Sequence, residues 1–346
     1  MHEKYILRCL ELAKNGLGLV QPNPMVGCVI IHDNKIIGEG YHRQFGQAHA
    51  EVNAINNVKD KSLLKNSVLY VNLEPCAHYG KTPPCAELIV RMGIPKVIIG
   101  TIDPFDKVMG KGIKILTKGG CKVKTGILEK ECRELNKRFF TFHEKRRPYI
   151  ILKWAETQDG FVDIIRLNNQ KNRPTWISNE TCRISVHKWR SEEQAILVGT
   201  ETARIDNPML NVRTWKGKNP LRIVIDKDLV LPNNLHLFDQ SQPTLILTKK
   251  EQQSLRNMTY KTLNFDEDII DQLMNYLFEI QIQSLIVEGG VKTLQHFIDN
   301  NIWDEARIFT GNMNFHKGIK APEISGNISE KTTIGDSSLT IIKKLF

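Results

Sequence analysis

The sequence predicts an α/β protein of two domains. The chain has 346 residues, more than one ordinary hydrophobic core holds, because cores stop growing at roughly 250–300 residues. Apolar runs of strand length alternate with segments of helical period in both halves. The stretch Glu144-Lys145-Arg146-Arg147-Pro148 is charged, ends in proline and precedes a fresh apolar strand, which marks a boundary. Domains covering 1–145 and 148–346 are expected.

In the first half, Ile6, Leu10, Ala13 and Leu17 recur at helical spacing, giving a helix over 3–15. Strands follow at 25–31 and 35–41, with Asp33-Asn34 as the turn between them. A helix is expected over 49–58 and a strand over 67–73. Pro83-Pro84 opens a helix running to 91, since proline is at home in a first helical turn. Then come a strand at 96–101, a helix at 112–118, a strand at 121–125 and a closing helix at 129–142. This order predicts a largely parallel or mixed sheet covered by helices. The second half reads as strand 149–154, helix 179–190, and strands 194–199, 221–226 and 244–248. Helix 266–279, strand 284–288, helix 291–300 and strand 305–310 complete it. No internal repeat, low-complexity tract or heptad pattern is present.

The chain is 41% hydrophobic and 25% charged, a globular balance that excludes disorder and collagen-like structure. Apolar runs such as 26–31 fall far short of the roughly 20 residues a membrane span needs, so no membrane partner is expected. Met1-His2-Glu3-Lys4 lacks the apolar stretch of a secretory signal. The seven cysteines are odd in number and scattered, against a disulfide framework, and a cytoplasmic location is expected. Asn179-Glu180-Thr181 matches a glycosylation acceptor that a cytoplasmic chain would not use. The formal charge of +10 suits an anionic partner, whether nucleic acid or a small phosphate ester. The basic clusters at 144–147 and 216–218 are shorter than a nucleic-acid-binding arm.

The chemistry concentrates first in His49-Ala50-Glu51, Pro75-Cys76 and Cys85. One histidine and two cysteines are ligands that zinc prefers, and three protein ligands leave a fourth tetrahedral position for water, as in catalytic sites. Bound zinc lowers the pKa of that water to about 7. Glu51, not itself a ligand, is then the proton shuttle. The pattern fits the H-x-E…P-C signature of zinc nucleobase deaminases, except that Ala77–Pro84 separate the two cysteines where the signature has two residues. Cys85 still follows Pro83-Pro84 at a helix start, where thiolate is favoured. Cys9, Cys28, Cys121, Cys132 and Cys182 read as core residues.

Several segments together are similar to one family, the bifunctional riboflavin-biosynthesis deaminase–reductases. They are Pro22–Val29, Gly38–His42, His49–Glu51 and Leu73–Cys85, whose Gly-Lys-Thr-Pro-Pro-Cys ending sets the family apart from plain cytidine and tRNA deaminases. The resemblance implies a cytidine-deaminase-like α/β/α domain that removes the 2-amino group of 2,5-diamino-6-(5-phospho-ribosylamino)pyrimidin-4-one. Asn23, His42, His78 and Lys81 would then surround pyrimidine and phosphate.

The second half lacks G-x-G-x-x-G, so a Rossmann site is not supported. It has Glu288-Gly289-Gly290 between a strand and a helix, where small residues let a phosphate approach the helix amides. That turn, Lys153–Gly160, Trp176–Ser178, Leu197–Thr202 and Asp206–Arg213 resemble the reductase half of the same family over 149 to about 311. The resemblance implies a dihydrofolate-reductase-like α/β domain that uses NADPH to reduce the ribosyl chain to ribityl. By the same matching, Ala155, Trp176, Thr202, Asp206, Leu210 and Gly290 contact the cofactor. Arg190, Arg213 and Glu288 contact substrate, two arginines gripping one phosphate with bidentate bonds. Two departures stand out. Thr157 replaces the usual serine and keeps the hydroxyl. Pro174 stands where a serine commonly contacts substrate, so that contact is not carried over. A homo-oligomer is expected.

Two other readings were open. A nucleic-acid deaminase needs an aromatic-lined groove or a basic stripe, whereas aromatics are 7% here and no RNA-binding motif occurs, so no nucleic-acid partner is expected. A purely structural zinc site needs a fourth protein ligand, for which Glu51 is a poor choice.

Overall fold

A computed structural model describes residues 2–79, 83–105, 108–166 and 175–344. Lys81 and Pro174 lie outside the described residues. The chain forms two compact units, Met1–Arg146 and Arg147–Phe346.

The first unit runs α1 (His2–Lys14), β1 (Gly27–His32), β2 (Lys35–Tyr41), α2 (Ala50–Asn57), β3 (Val68–Leu73), α3 (Cys85–Arg91) and β4 (Lys96–Thr101). It continues with α4 (Lys111–Lys118), β5 (Lys122–Lys124), α5 (Glu129–Leu135) and α6 (Lys137–Lys145). Its five-stranded sheet has the order β2-β1-β3-β4-β5. β1 is antiparallel to β2 and β3, and β3, β4 and β5 are parallel. Asp33 and Asn34 both have positive φ, 46° and 61°, the twist that suits a tight hairpin. Strand alternation splits the core in two. Cys28, Ile30, Leu69, Val71, Val97 and Ile99 face α2, α3 and α4, while Val29, Ile31, Tyr70 and Ile98 face α1 and α5. The result is an α/β/α sandwich. The single helix expected over 129–142 is broken at Asn136, whose φ and ψ are −101° and 24°. Its side chain accepts from Met25 N at 2.8 Å and donates to Met25 O at 2.9 Å. Those bonds hold the Asn23–Met25 segment, and the buried amide competes with helix continuity.

The second unit contains β6 (Tyr149–Thr157), β7 (Phe161–Asp163), α7 (Glu180–Glu192), β8 (Ala195–Val198), α8 (Thr200–Asp206), β9 (Leu221–Ile225), β10 (Thr244–Thr248) and β11 (Met258–Thr262). Next come α9 (Ile269–Glu279), β12 (Ser284–Gly289), α10 (Val291–Asp299), β13 (Glu305–Gly311), β14 (Ile319–Lys320), β15 (Asn327–Ile334) and β16 (Ser337–Lys343). Nine strands order as β11-β10-β9-β8-β12-β6-β13-β16-β15. Pairing is parallel up to β13, and β16 then runs antiparallel to both β13 and β15. Ile150, Leu152, Leu197, Ile223, Leu285 and Val287 pack under α9 and α10, and Ile151, Ile196, Val224, Ile246 and Ile286 build the opposite face. α8 and α10 start directly after β8 and β12. The carboxyl ends of these neighbouring parallel strands therefore meet two helix starts, the usual place for a ligand in an α/β sheet.

Candidate active sites

In the first unit, α2 begins at Ala50 with His49 as its N-cap, and α3 begins at Cys85. These two helix starts and the loop after β3 bring three ligands together. His49 Nδ1 is 3.6 Å from Cys76 Sγ and 3.5 Å from Cys85 Sγ, and the three ligand atoms all lie within 4.8 Å of one another. A tetrahedral zinc with ordinary Zn–N and Zn–S bonds separates nitrogen from sulfur by about 3.6 Å, so the donor set fits that ion. The Cys85 N–H donates to Cys76 Sγ at 3.3 Å. A hydrogen bond from the Cys85 thiol, with help from that amide and His49, holds Cys76 down toward thiolate. The same bond, with burial, pushes Cys85 up.

Glu51 follows in the first turn of α2 and is 3% exposed. Burial and the neighbouring Cys76 raise its carboxyl above the ordinary range, against His49 and a hydrogen bond to Cys85. A carboxyl that holds a proton more readily than usual, beside a metal-type donor set, is equipped to shuttle one.

His42 lies edge-on to His49, ring centroids 5.2 Å apart. Its Nδ1 is 3.1 Å from Ala48 O and so carries the proton, which leaves Nε2 to accept from Asn23 Nδ2 at 3.1 Å. Burial keeps the ring neutral by lowering its pKa. Asn23 thus retains its carbonyl oxygen and a second N–H for other partners. His78 is exposed, edge-on to Phe105 at 6.3 Å.

In the second unit, Glu288 at the end of β12 receives a bidentate bond from Arg190 on α7: Nε to Oε1 at 3.1 Å and Nη2 to Oε2 at 2.7 Å. Burial would raise the Glu288 carboxyl, but the charges of Arg190 and Lys153 hold it down to about 2. Arg213 is exposed and donates to Asn211 Oδ1 at 3.2 Å. Asp206 closes α8, and burial, then the charge of Asp163, raises it to about 6 against Arg166 and Lys153. Trp176 is 57% exposed, Ala155 is half-buried on β6, and the Leu210 side chain is in the core beside Val198 and Ala203.

Thr202 on α8 accepts the Gly290 N–H at 2.8 Å. The first rung of α10 is Leu294 N to Gly290 O, so the amides of Val291, Lys292 and Thr293 have no intrahelical acceptor. A Cβ on Gly199 would stand 2.5 Å from Thr293 Oγ1, and one on Gly290 would stand 3.2 Å from Thr202 Oγ1. Two close glycine turns beside open helix amides fit the diphosphate of a dinucleotide.

Residues 1–101 match the cytidine and deoxycytidylate deaminase zinc-binding region, and residues 148–314 match the RibD C-terminal domain. A riboflavin biosynthesis protein RibD of Aquifex aeolicus is 37% identical over 99% of this chain and 92% of its own. The one from Bacillus amyloliquefaciens is 40% identical over 89% of this chain and 84% of its own. The solved structure of a diaminohydroxyphosphoribosylaminopyrimidine deaminase/5-amino-6-(5-phosphoribosylamino)uracil reductase from Thermotoga maritima is 33% identical. It superposes with a TM-score of 0.89 over 99% of each chain.

The chain belongs to the RibD family. As a RibD-family member it is a bifunctional deaminase and reductase of riboflavin biosynthesis, with a zinc-binding, cytidine-deaminase-like first domain and a dihydrofolate-reductase-like second domain that uses NADPH. Further residues support these RibD-type sites without standing out in the sequence. Asn72 is fully buried; its side chain accepts from Gly27 N at 2.8 Å and donates to Met25 O at 3.1 Å, fixing the strand that follows Asn23. Its only signal was an amide inside an apolar strand. Asp103, just past β4, is raised to about 7, chiefly by burial. Arg183 and His187 share the α7 face that carries Arg190.

Proposed function

We propose that residues 1–145 hydrolyse the 2-amino group of 2,5-diamino-6-(5-phospho-ribosylamino)pyrimidin-4-one. Residues 148–346 then reduce the ribosyl chain, giving 5-amino-6-(5-phospho-ribitylamino)uracil. The observation that carries the first step is Glu51 buried against the His49, Cys76 and Cys85 trio. Zinc held by those three side chains supplies the Lewis acidity that brings the pKa of water to about 7. Glu51 takes a proton from the attacking water and delivers it to the departing amino nitrogen. The ring C–N bond breaks, ammonia leaves, and the ring carbon becomes a carbonyl. Asn23 and the neutral His42 orient the ring, and His78 and Lys81 border the phosphate.

In the second step, bound NADPH would supply the hydride that an open-chain imine accepts at its first carbon, while the imine nitrogen takes a proton from solvent and the C=N double bond becomes the C–N single bond of the ribityl amine. Thr202, Gly290 and Asp206 hold the cofactor, with Ala155, Trp176 and Leu210 along its path. Glu288, fixed by Arg190, receives sugar hydroxyls, and Arg213 reaches the phosphate. Positioning does most of the work, because the imine is already polarised. The free state of the seven cysteines supports a reducing, cytoplasmic compartment. The eight-residue, almost wholly exposed edge strand β15 supports a homo-oligomer.

The test uses two variants of the full chain. Cys85→Ser should lose most of the roughly one zinc per chain measured in the wild type. Glu51→Gln should keep its zinc and lose deamination by several powers of ten. It should still reduce the deaminated intermediate with NADPH. Undiminished zinc in Cys85→Ser, or loss of both activities in a folded Glu51→Gln, would sink the assignment.

A further inference from the structure

The hairpin of β15 and β16 begins at Asn327, beyond residue 314 where the match to the RibD C-terminal domain ends, and none of the proposed site residues lies in it. Its turn nevertheless holds the start of α7. Asn179, the N-cap of that helix, accepts from Cys182 N through Oδ1 at 3.0 Å. Its Nδ2 donates to Ile334 O at 2.6 Å, to Asp336 Oδ1 at 2.8 Å and to Ser337 Oγ at 3.3 Å. A helix cap needs only the oxygen, and Ser or Asp would serve as well there. The amide N–H groups add a tie to a turn 155 to 158 positions away in sequence. The turn is fitted to that amide. Gly335 has a φ of 62°, and a Cβ there would stand 3.0 Å from Asn179 Nδ2. Asp336 Oδ1 also accepts from the Ser337 hydroxyl at 3.1 Å, which fixes the carboxylate at the turn. Trp176 stands three residues before Asn179, on a connector held at two points. One is Ile177, whose carbonyl lies so close to Gly311 at the end of β13 that a Cβ there would stand 2.0 Å from it. The other is Asn179. The indole is 57% exposed, so packing does little to hold it and its backbone sets its place. The Asn-Glu-Thr triplet at 179–181, which in sequence matches a glycosylation acceptor, thus has a use inside the fold.

We infer that Asn179 is a positioning residue of the reductase, joining the turn between β15 and β16 to the connector that presents Trp176 to NADPH. This rests on the reading that Trp176 borders the cofactor. The test measures NADPH Kd by fluorescence titration, with reductase kcat and KM, on the full chain. The proteins are wild type, Asn179→Asp, Asp336→Asn, the double variant of these two, and Trp176→Ala. Asn179→Asp keeps an oxygen for the helix cap but removes both N–H donors and sets a second carboxylate against Asp336. It should raise Kd and KM for NADPH together by about 3- to 10-fold, the usual reach of a lost hydrogen bond. Its kcat at saturating NADPH and its deaminase activity should stay near the wild-type values. Asp336→Asn leaves a carbonyl oxygen for the Asn179 amide and should bind NADPH as wild type does. In the double variant donor and acceptor have changed places, so the amide now at 336 donates to the carboxylate now at 179. Most of the lost affinity should return, with the net charge of the wild type. Wild-type affinity in Asn179→Asp would show residue 179 to be a helix cap and nothing more. A loss that persists in the double variant would trace it to something other than the tie to the turn. Either result overturns the inference, and it leaves the underlying reading standing if Trp176→Ala weakens NADPH binding. If Trp176→Ala binds NADPH as wild type does, the reading of Trp176 fails and the inference falls with it.

Discussion

His187 lies on the guanidinium-bearing face of α7 and is 4% exposed. Its Nδ1 is 2.9 Å from Asn211 O, so Nδ1 carries the proton of the neutral ring. Burial, then the charges of Arg190 and Arg213, lower its pKa to about 4. The unfolded chain, with an ordinary histidine pKa near ~6.5, takes up the proton first as pH falls. Stability is therefore full above about pH 6.5 and declines toward pH 4, by on the order of 3 kcal/mol at the lower end. Urea unfolding of the wild type and His187→Gln between those limits should differ by a slope that only the wild type shows. Parallel slopes would mean that His187 is already charged in the fold. At this scale, legibility follows sequence distance. His49 and Glu51 are two apart, and Cys76 and Cys85 flank one short loop, so composition and spacing exposed them. The Arg190–Glu288 bond joins positions 98 apart, and nothing in either neighbourhood announces the other. Asn72 and Asn136 meet at Met25 through tertiary structure alone, each looking locally like an ordinary strand or helix residue.

α4 shows how an element fixes a site it does not line. Glu74, just before the Pro75-Cys76 ligand segment, is 3% exposed. Its Oε1 accepts from Ile113 N at 3.2 Å and its Oε2 from Gly110 N at 3.0 Å. The carboxylate therefore caps the start of α4, where it also meets the positive end of the helix dipole. The helix can approach this closely because residue 112 is glycine: a Cβ there would stand 2.1 Å from Pro75 O. Backbone cannot yield as a side chain does, so Gly112→Ala must move α4 or the loop holding Cys76. Overpacking of this kind costs about 1–3 kcal/mol. Gly112→Ala should also release zinc to a competing chelator several times faster than wild type while the reductase step is kept. Wild-type zinc retention would mean that the loop is placed independently of α4. Elements with strong apolar patterns were legible almost to the residue, β4 and β10 among them. β15 was missed because Asn327–Ile334 is exposed along most of its length and carries Ser, Glu, Lys and Thr where a buried strand would show apolar alternation. β11 and α8 are short and half-polar, and packing against their neighbours decides their conformation.

At the scale of the whole chain, two α/β units each bury their own core, and each of the core clusters lies inside one unit. Separate cores allow separate melting, and the two cofactors make the separation measurable, because a ligand stabilises only the unit whose folded state binds it. The proposed zinc ligands His49, Cys76 and Cys85 join the start of α2, the loop after β3 and the start of α3 in the first unit, while the Gly199 and Gly290 turns belong to the second. Calorimetry of the full chain should then resolve two transitions. A strong chelator should lower one of them by ten degrees or so or abolish it, since zinc binding is itself folding energy. NADPH at about 100 times its Kd adds about 2.7 kcal/mol and should raise the other by roughly 5–10 °C. Each treatment should leave the other transition in place. The Cys85→Ser variant should reproduce the chelator's effect without any added reagent, which ties the shift to the ligand set rather than to the chelator. A single transition that moves with both zinc and NADPH would mean that the units unfold together. The independence of the two activities expected for Glu51→Gln would then need a cause other than separate cores.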